Sequence, residues 1–173
     1  EVKQMRIYTP ALNAYVGSST SIGVGNMQAI KNSVIVEDTK VNEEGGTFLK
    51  ECMPYEMQSA SIEEVKMCGD TYKDAIVLRD SGNALACFNL KGNYTTIEFD
   101  LSHVDGTAMK EKTVYIHLDG ELKYTYNVPP EGYIQHIELD VEGVKQMRIY
   151  TPALNAYVGS STSMGLANMR AIK

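Results

Sequence analysis

The stretch that decides the fold runs Thr113-Val114-Tyr115-Ile116-His117-Leu118-Asp119-Gly120-Glu121-Leu122-Lys123-Tyr124. Its apolar residues Val114, Ile116 and Leu118 occupy every second position. This period of two predicts a β-strand with one buried and one exposed face. Because Asp-Gly favours tight turns between strands, Asp119-Gly120 predicts a β-hairpin.

The loop length of this hairpin decides which side chains share a face. A two-residue turn would place Ile116 opposite Lys123 and mix the core face with the solvent face. We therefore expect a three-residue loop that ends at Gly120 in the left-handed conformation. Ile116 would then face Leu122 on the buried side, and Tyr115 would face Lys123 outside.

The same alternation recurs in three other segments, with turn residues between them. They are Ile97-Glu98-Phe99-Asp100-Leu101, Ile137-Glu138-Leu139-Asp140-Val141 and Met147-Arg148-Ile149. Many short strands with turns about every ten residues predict an all-β antiparallel sandwich or barrel. The one helical feature that we expect is a single turn over 48–52.

Composition and charge exclude several classes of partner. The chain has 173 residues, of which 43% are hydrophobic and 22% charged, which is ordinary for a globular protein. The formal net charge is −6, so nucleic acid and anionic membranes are not expected as partners. The sequence has no run of about 18 apolar residues, so it predicts no membrane-spanning helix.

An internal repeat is the strongest signal in the sequence. Residues 2–31 match residues 144–173 at all but four positions, which are Ile22/Met164, Val24/Leu166, Gly25/Ala167 and Gln28/Arg170. We interpret residues 1–31 as the tail of a preceding repeat, 32–46 as a linker and 47–173 as a complete module. Residues 1–31 could pack on the same chain, cover another chain or take the equivalent place in a neighbour by strand exchange. Packing on the same chain or on a neighbouring molecule is the favoured arrangement.

Residues with chemical potential give little support for catalysis. His103, His117 and His136 fall in solvent-facing phase without the spacing of metal ligands. The segments 80–83 and 100–105 could hold a structural calcium ion, but turns that use Asp and Asn for local hydrogen bonds are favoured. No other cofactor is expected.

The three cysteines do not form a complete disulfide framework. Cys87 lies in an apolar run and is interpreted as a small buried hydrophobe. Cys52 and Cys68 could form a bridge, but two free thiols are favoured.

The tyrosines are the best candidates for ligand contact, because an exposed Tyr offers a large amphipathic surface at low entropic cost. The alternative is that half or more of them cap the core. The chain has no Trp, which favours a protein ligand over a sugar. The candidate ligand-binding residues, which include one outward-facing histidine, are Tyr94, Tyr115, His117, Tyr133, Tyr150 and Tyr157.

Five segments together resemble the novel putative carbohydrate-binding module family, NPCBM. They are 67–78, 88–99, 102–106, 114–120 and 139–149, and the resemblance covers about residues 55–173. It implies a jelly-roll β-sandwich that serves as a non-catalytic appendage of a secreted or wall-attached bacterial protein. The tandem architecture also resembles superantigen-like surface proteins of gut commensal bacteria, which bind immunoglobulin variable domains.

The sequence therefore predicts a binding module and not an enzyme. The main hypothesis is recognition of a host protein such as an immunoglobulin variable domain. The first alternative is a carbohydrate-binding module that recognises a glycan. The second is a structural spacer in a repeat array, in which the repeated tail joins neighbouring repeats of the same protein.

Overall fold

A computed structural model describes residues 48–154 and 161–173 of the chain. It contains one short helix and ten strands within these residues. In chain order they are α1 (Phe48–Glu51), β1 (Glu56–Gln58), β2 (Ala60–Met67), β3 (Asp70–Arg79), β4 (Ala84–Asn89), β5 (Thr96–His103), β6 (Lys112–Leu118), β7 (Glu121–Val128), β8 (Gln135–Asp140), β9 (Gln146–Thr151) and β10 (Ser163–Ile172). The expected helical turn near residue 48 is confirmed.

The strands form two antiparallel sheets of five strands each. The front sheet has the order β1-β4-β9-β6-β7, and the back sheet has the order β2-β3-β10-β5-β8. Strands that are consecutive in the sequence often lie in different sheets, which gives an antiparallel β-sandwich of the jelly-roll type, as predicted. Among the described residues, no helix is long and apolar enough to cross a membrane.

The core lies between the two sheets and follows the predicted alternation. The apolar residues of β5, β6 and β8 that were predicted to point inward are buried, as are Met147 and Ile149 of β9. Two phenylalanines, Phe48 of α1 and Phe88 of β4, pack with their ring centroids 5.4 Å apart. The short helix thus closes one end of the sandwich with an aromatic contact.

The register of the β6–β7 hairpin differs from the expected one. Leu118 pairs with Glu121, so the turn has two residues, and both Asp119 (φ 49°) and Gly120 (φ 88°) are left-handed. This is the geometry that Asp-Gly favours, because its twist matches that of the strands. A bulge at Lys123 then restores the alternation, so that Ile116 pairs with Tyr124.

The outer face of the back sheet is covered over parts of β2, β3 and β10. A second buried cluster of apolar side chains lies there, with Met67 and Ala75 fully buried and Val104 packed against them.

The prediction that His103 faces solvent is wrong: it is fully buried, and its Nε2 lies 3.1 Å from the carbonyl oxygen of Pro129. The segment between β7 and β8 therefore covers the end of β5.

Candidate functional site: the front face

The front face, which is the outer surface of the front sheet, carries an aromatic and polar array. Its residues follow from the register of the four strands that form its centre and one side. One row across these strands is Cys87, Arg148, His117 and Leu122, and the next is Leu85, Tyr150, Tyr115 and Thr125. Alternation along β6 and β9 places these side chains outward because their neighbours fill the core.

Three side chains at the centre of the front face are in contact. Tyr115 and Tyr150 are directly paired across β6 and β9, with ring centroids 6.1 Å apart and planes inclined by 31°. The guanidinium carbon of Arg148 lies 4.9 Å from the centroid of the Tyr150 ring. This cation–π contact fixes a positive group beside two partly exposed aromatic rings.

A shallow depression of about 130 Å³ adjoins these side chains. It is lined by Tyr55, Cys87, Gly120, Arg148 and His117, together with residues at the start of β9. The Nδ1 atom of His117 is buried and has no hydrogen-bond partner among the described residues. Buried polar atoms are nearly always hydrogen-bonded, so this nitrogen is an exception; because the protein encloses it, a bound molecule would meet the rest of the imidazole ring.

Two polar groups of the depression, the Cys87 thiol and the Tyr55 hydroxyl, are uncharged at neutral pH, as their ordinary pKa values already require. Burial raises the pKa of the Cys87 thiol, an effect that the nearby Glu56 reinforces and Arg148 opposes. Burial also raises the pKa of the Tyr55 hydroxyl, with Cys87 as the next cause. At neutral pH the depression therefore offers the uncharged thiol of Cys87 and hydroxyl of Tyr55 beside the positive charge of Arg148.

The structure brings together three of the six predicted site residues. Tyr115, His117 and Tyr150 lie side by side on the front face. Tyr133 is 52% exposed, but it lies in the loop between β7 and β8 and makes no ring contact with the other described tyrosines. Tyr157 lies outside the described residues.

The expectation that Tyr94 is exposed is wrong. Its side chain is 7% exposed, and its ring packs edge-on against Phe48 with centroids 5.6 Å apart. Helix α1, which is distant in the sequence, covers the turn in which Tyr94 lies. Tyr94 is a core residue and does not belong to the front face.

Sequence reasoning missed two residues of the site, Arg148 and Tyr55. The signal for Arg148 was present, because Arg148 and Tyr150 are two residues apart on one strand and so share a face. No comparable signal marks Tyr55. It precedes the three-residue strand β1, and its N–H donates to the carbonyl oxygen of Cys87 at 2.9 Å.

The first segment considered for calcium serves a structural purpose. An oxygen of Asp80 accepts hydrogen bonds from the Lys112 ammonium and from the N–H of Leu154, each at 2.7 Å. The side-chain oxygen of Asn83 accepts the N–H of Ala153 at 3.1 Å. The segment thus anchors the chain that follows β9.

The second segment is also engaged by protein donors. The two carboxylate oxygens of Asp105 accept the N–H groups of Cys68 and Gly69 at 2.9 and 2.8 Å. Asp100 contacts His136 and the amide of Asn168. Over residues 48–154 and 161–173, no group of three or more His, Cys, Asp or Glu side chains could hold a metal ion.

The three cysteines are free thiols, as favoured from the sequence. The Cys52 thiol donates to the carbonyl oxygen of Asn89 at 3.6 Å, and the Cys68 thiol donates to that of Gly132 at 2.7 Å. Cys87 is 5% exposed, so its predicted burial is confirmed.

A larger cleft of about 470 Å³ lies beside the β6–β7 turn, but four of its five charged side chains already have protein partners. The Asp119 carboxylate accepts the N–H of Gln146 at 2.8 Å, and Glu121 pairs with Lys123 at 2.7 Å. An oxygen of Asp140 accepts the N–H of Glu142 at 3.1 Å. The cleft is therefore the space between two turns whose polar groups stabilise each other, and the front face is the stronger candidate for ligand binding.

Comparisons with known proteins identify the fold. No protein-family model matches the chain, and no curated protein matches it. The chain is similar to part of a structure of ZmpB from Clostridium perfringens, which comprises the M60 catalytic domain with the CBM51-1 and CBM51-2 domains. The TM-score is 0.54 and the identity 15%, and the match covers 69% of this chain and 14% of that one. It is also similar to CBM51 of GH95 from Clostridium perfringens in complex with methyl-galactose, with a TM-score of 0.50, 15% identity, and coverage of 66% of this chain and 86% of that one.

This likeness shows that the described module has the fold of these carbohydrate-binding modules. The resemblance inferred from the sequence is confirmed at the level of the fold. The resemblance to superantigen-like proteins finds no support in the two structures.

Proposed function

We propose that the chain contains a non-catalytic glycan-binding module that holds a saccharide against the front face. The observation that carries the proposal is the contact of Tyr115, Tyr150 and Arg148 beside the depression that His117 lines. The fold gives it further support, since one structure of similar fold is a complex with methyl-galactose. We place the module in a secreted or surface-attached bacterial protein.

The chemistry of the front face suits a sugar. The apolar C–H faces of a pyranose can stack on the two tyrosine rings, whose hydroxyls can still form hydrogen bonds at the ring edge. The Arg148 guanidinium can donate several hydrogen bonds to sugar hydroxyls, and His117 can donate or accept one. Because the depression is far smaller than the roughly 300–1,000 Å³ of pockets that enclose a ligand, a saccharide would lie across the face.

A glycan array followed by calorimetric titration of the best saccharide tests the proposal. Tyr115→Ala and Tyr150→Ala should each weaken binding by at least about tenfold, as expected for aromatic anchors of a binding surface. Tyr133→Ala is the matched control, because it removes an exposed tyrosine away from the front face. Equal losses from all three variants, or none from the first two, would refute the front face as the site.

The same protein distinguishes the other two hypotheses. A host protein partner such as an immunoglobulin would be recovered from serum by the wild-type chain, with no saccharide bound on the array. A structural spacer would bind neither. Either result would remove the glycan proposal, whereas array binding that depends on Tyr150 would support it.

A further inference from the structure

The repeated segment occupies the middle of both sheets. Its C-terminal copy, 144–173, supplies β9, which pairs with β4 and β6, and β10, which pairs with β3 and β5. We call the positions of β9 and β10 the central slot. Without an occupant, each sheet would split into two parts with unpaired inner edges.

The N-terminal copy preserves the residues that the central slot requires. Gly165 approaches the sulfur of Met67 so closely that an added Cβ would collide with it, and Gly23 stands at the matching position. Asn168 is left-handed, with φ of 52°, and Asn26 matches it. Asparagine tolerates this conformation better than other residues with side chains.

The four differences between the copies follow burial. Met164 and Leu166 are fully buried, and their counterparts are Ile22 and Val24. Ala167, also buried, is matched by glycine, whereas the exposed Arg170 is matched by glutamine. The N-terminal copy would fill the buried part of the slot with two carbon atoms fewer, one at Val24 and one at Gly25, so it would be the weaker occupant.

The connection to the rest of the module is long enough. Lys173, which ends the C-terminal copy, forms an ion pair with Glu51 of α1 at 2.8 Å. An N-terminal copy in the same place would end at Lys31 beside α1, with residues 32–47 left to reach Phe48. Sixteen residues can extend over roughly 50 Å and as a flexible chain span about 22 Å.

We propose that residues 2–31 are an alternative occupant of the central slot, able to replace residues 144–173 in the same chain or in a second copy. The two copies then compete for one site. The C-terminal copy holds it in the structure, and the N-terminal copy takes it when the C-terminal copy is displaced. In a tandem protein, this competition would let neighbouring modules exchange strands.

Matched aspartate substitutions in the full chain test the proposal. Leu166→Asp places a charge in the core and disables the C-terminal copy, and Val24→Asp disables the N-terminal copy at the same position. We expect Val24→Asp to unfold like the wild type, and Leu166→Asp to keep a cooperative thermal transition at lower temperature. The double variant should lose the transition, because no occupant remains.

The comparison of single and double variants decides the matter. If Leu166→Asp unfolds at the same temperature as the double variant, or loses its transition as completely, residues 2–31 do not fill the slot. If Val24→Asp alone disrupts the fold, that segment is not an alternative, and the proposal is also overturned. If the folded Leu166→Asp chain is a monomer, residues 2–31 fill the central slot of their own chain. If it is a dimer, they fill the slot of a second copy. Both results support the proposal when the double variant is unfolded.

Discussion

Replacing Lys112 by methionine should be among the most destabilising single changes in the module. The side chains of Lys112 and Asp80 are 1% and 3% exposed, and the ammonium lies 2.7 Å from the carboxylate. Methionine retains the apolar stem, so the loss is mainly that of the charge and its hydrogen bonds, one of which goes to the carbonyl oxygen of Pro152. The Asp80 carboxylate would keep the N–H of Leu154 but stay buried without a countercharge.

The expected loss of unfolding free energy is about 3–5 kcal/mol, the range for breaking a buried ion pair by removing one partner. At about 4 °C per kcal/mol for a module of this size, the melting temperature should fall by roughly 12–20 °C. Differential scanning calorimetry measures both quantities. Adding Asp80→Asn should recover part of the loss, because the carboxylate left alone is then removed.

Lys123→Met is the matched control. Lys123 lies on the neighbouring strand and pairs with Glu121 at the same distance of 2.7 Å, but its side chain is 50% exposed. Solvent screens such a pair, so the melting temperature of Lys123→Met should stay within about 2 °C of the wild type. Equal shifts for Lys112→Met and Lys123→Met would show that burial does not set the strength of the first pair.

Three further changes test the backbone and the core. Gly165→Ala should lower stability by about 1–3 kcal/mol through overpacking against Met67, and Met67→Ala should relieve part of that loss in denaturant titrations. Gly120→Ala should lower the free energy of unfolding by about 1 kcal/mol because the φ of Gly120 is 88°. No atom lies within 4 Å of the added methyl group, so the loss comes from the backbone conformation alone, and Gly120→Asn should lose less. Burial raises the pKa of the Cys52 thiol above its ordinary value. The contribution of the neutral thiol to the free energy of unfolding is therefore complete at a pH below the ordinary pKa and is lost as the pH rises through the raised pKa. Melting temperatures measured at pH 8 and pH 10 should differ less in Cys52→Ala than in the wild type.

The strands could be predicted because their signal is local. In β6, each inward residue alternates with an outward one, and the same pattern gave the correct burial of Ile97, Leu139 and Ile149. The hairpin register could not be predicted from alternation alone. The preference of Asp-Gly for a two-residue turn determines the loop length. This turn shifts the pairing of β7 against β6 by one residue, and a bulge at Lys123 compensates for the shift.

The errors at the candidate site concern residues whose surroundings come from distant parts of the chain. Tyr94 lies after a turn and is polar enough for the surface, but α1 covers it with Phe48. His103 ends an alternating strand and is buried because the segment with Pro129 folds over it. Tyr115 and Tyr150 were predicted as outward residues, but their pairing depends on the order of β6 and β9 in the front sheet, which alternation does not determine.

The central slot and the front face meet in β9, and this connects the two proposals. Strand β9 supplies Arg148 and Tyr150 to the front face, and the N-terminal copy carries Arg6 and Tyr8 at the matching positions. Exchange of the occupant would therefore leave the glycan-binding surface unchanged. In the Leu166→Asp chain, Tyr8→Ala should abolish saccharide binding while Tyr150→Ala should not, the reverse of the wild-type pattern. Calorimetric titration of the two double variants measures this reversal, and a continued dependence on Tyr150 would show that the C-terminal copy still forms the front face.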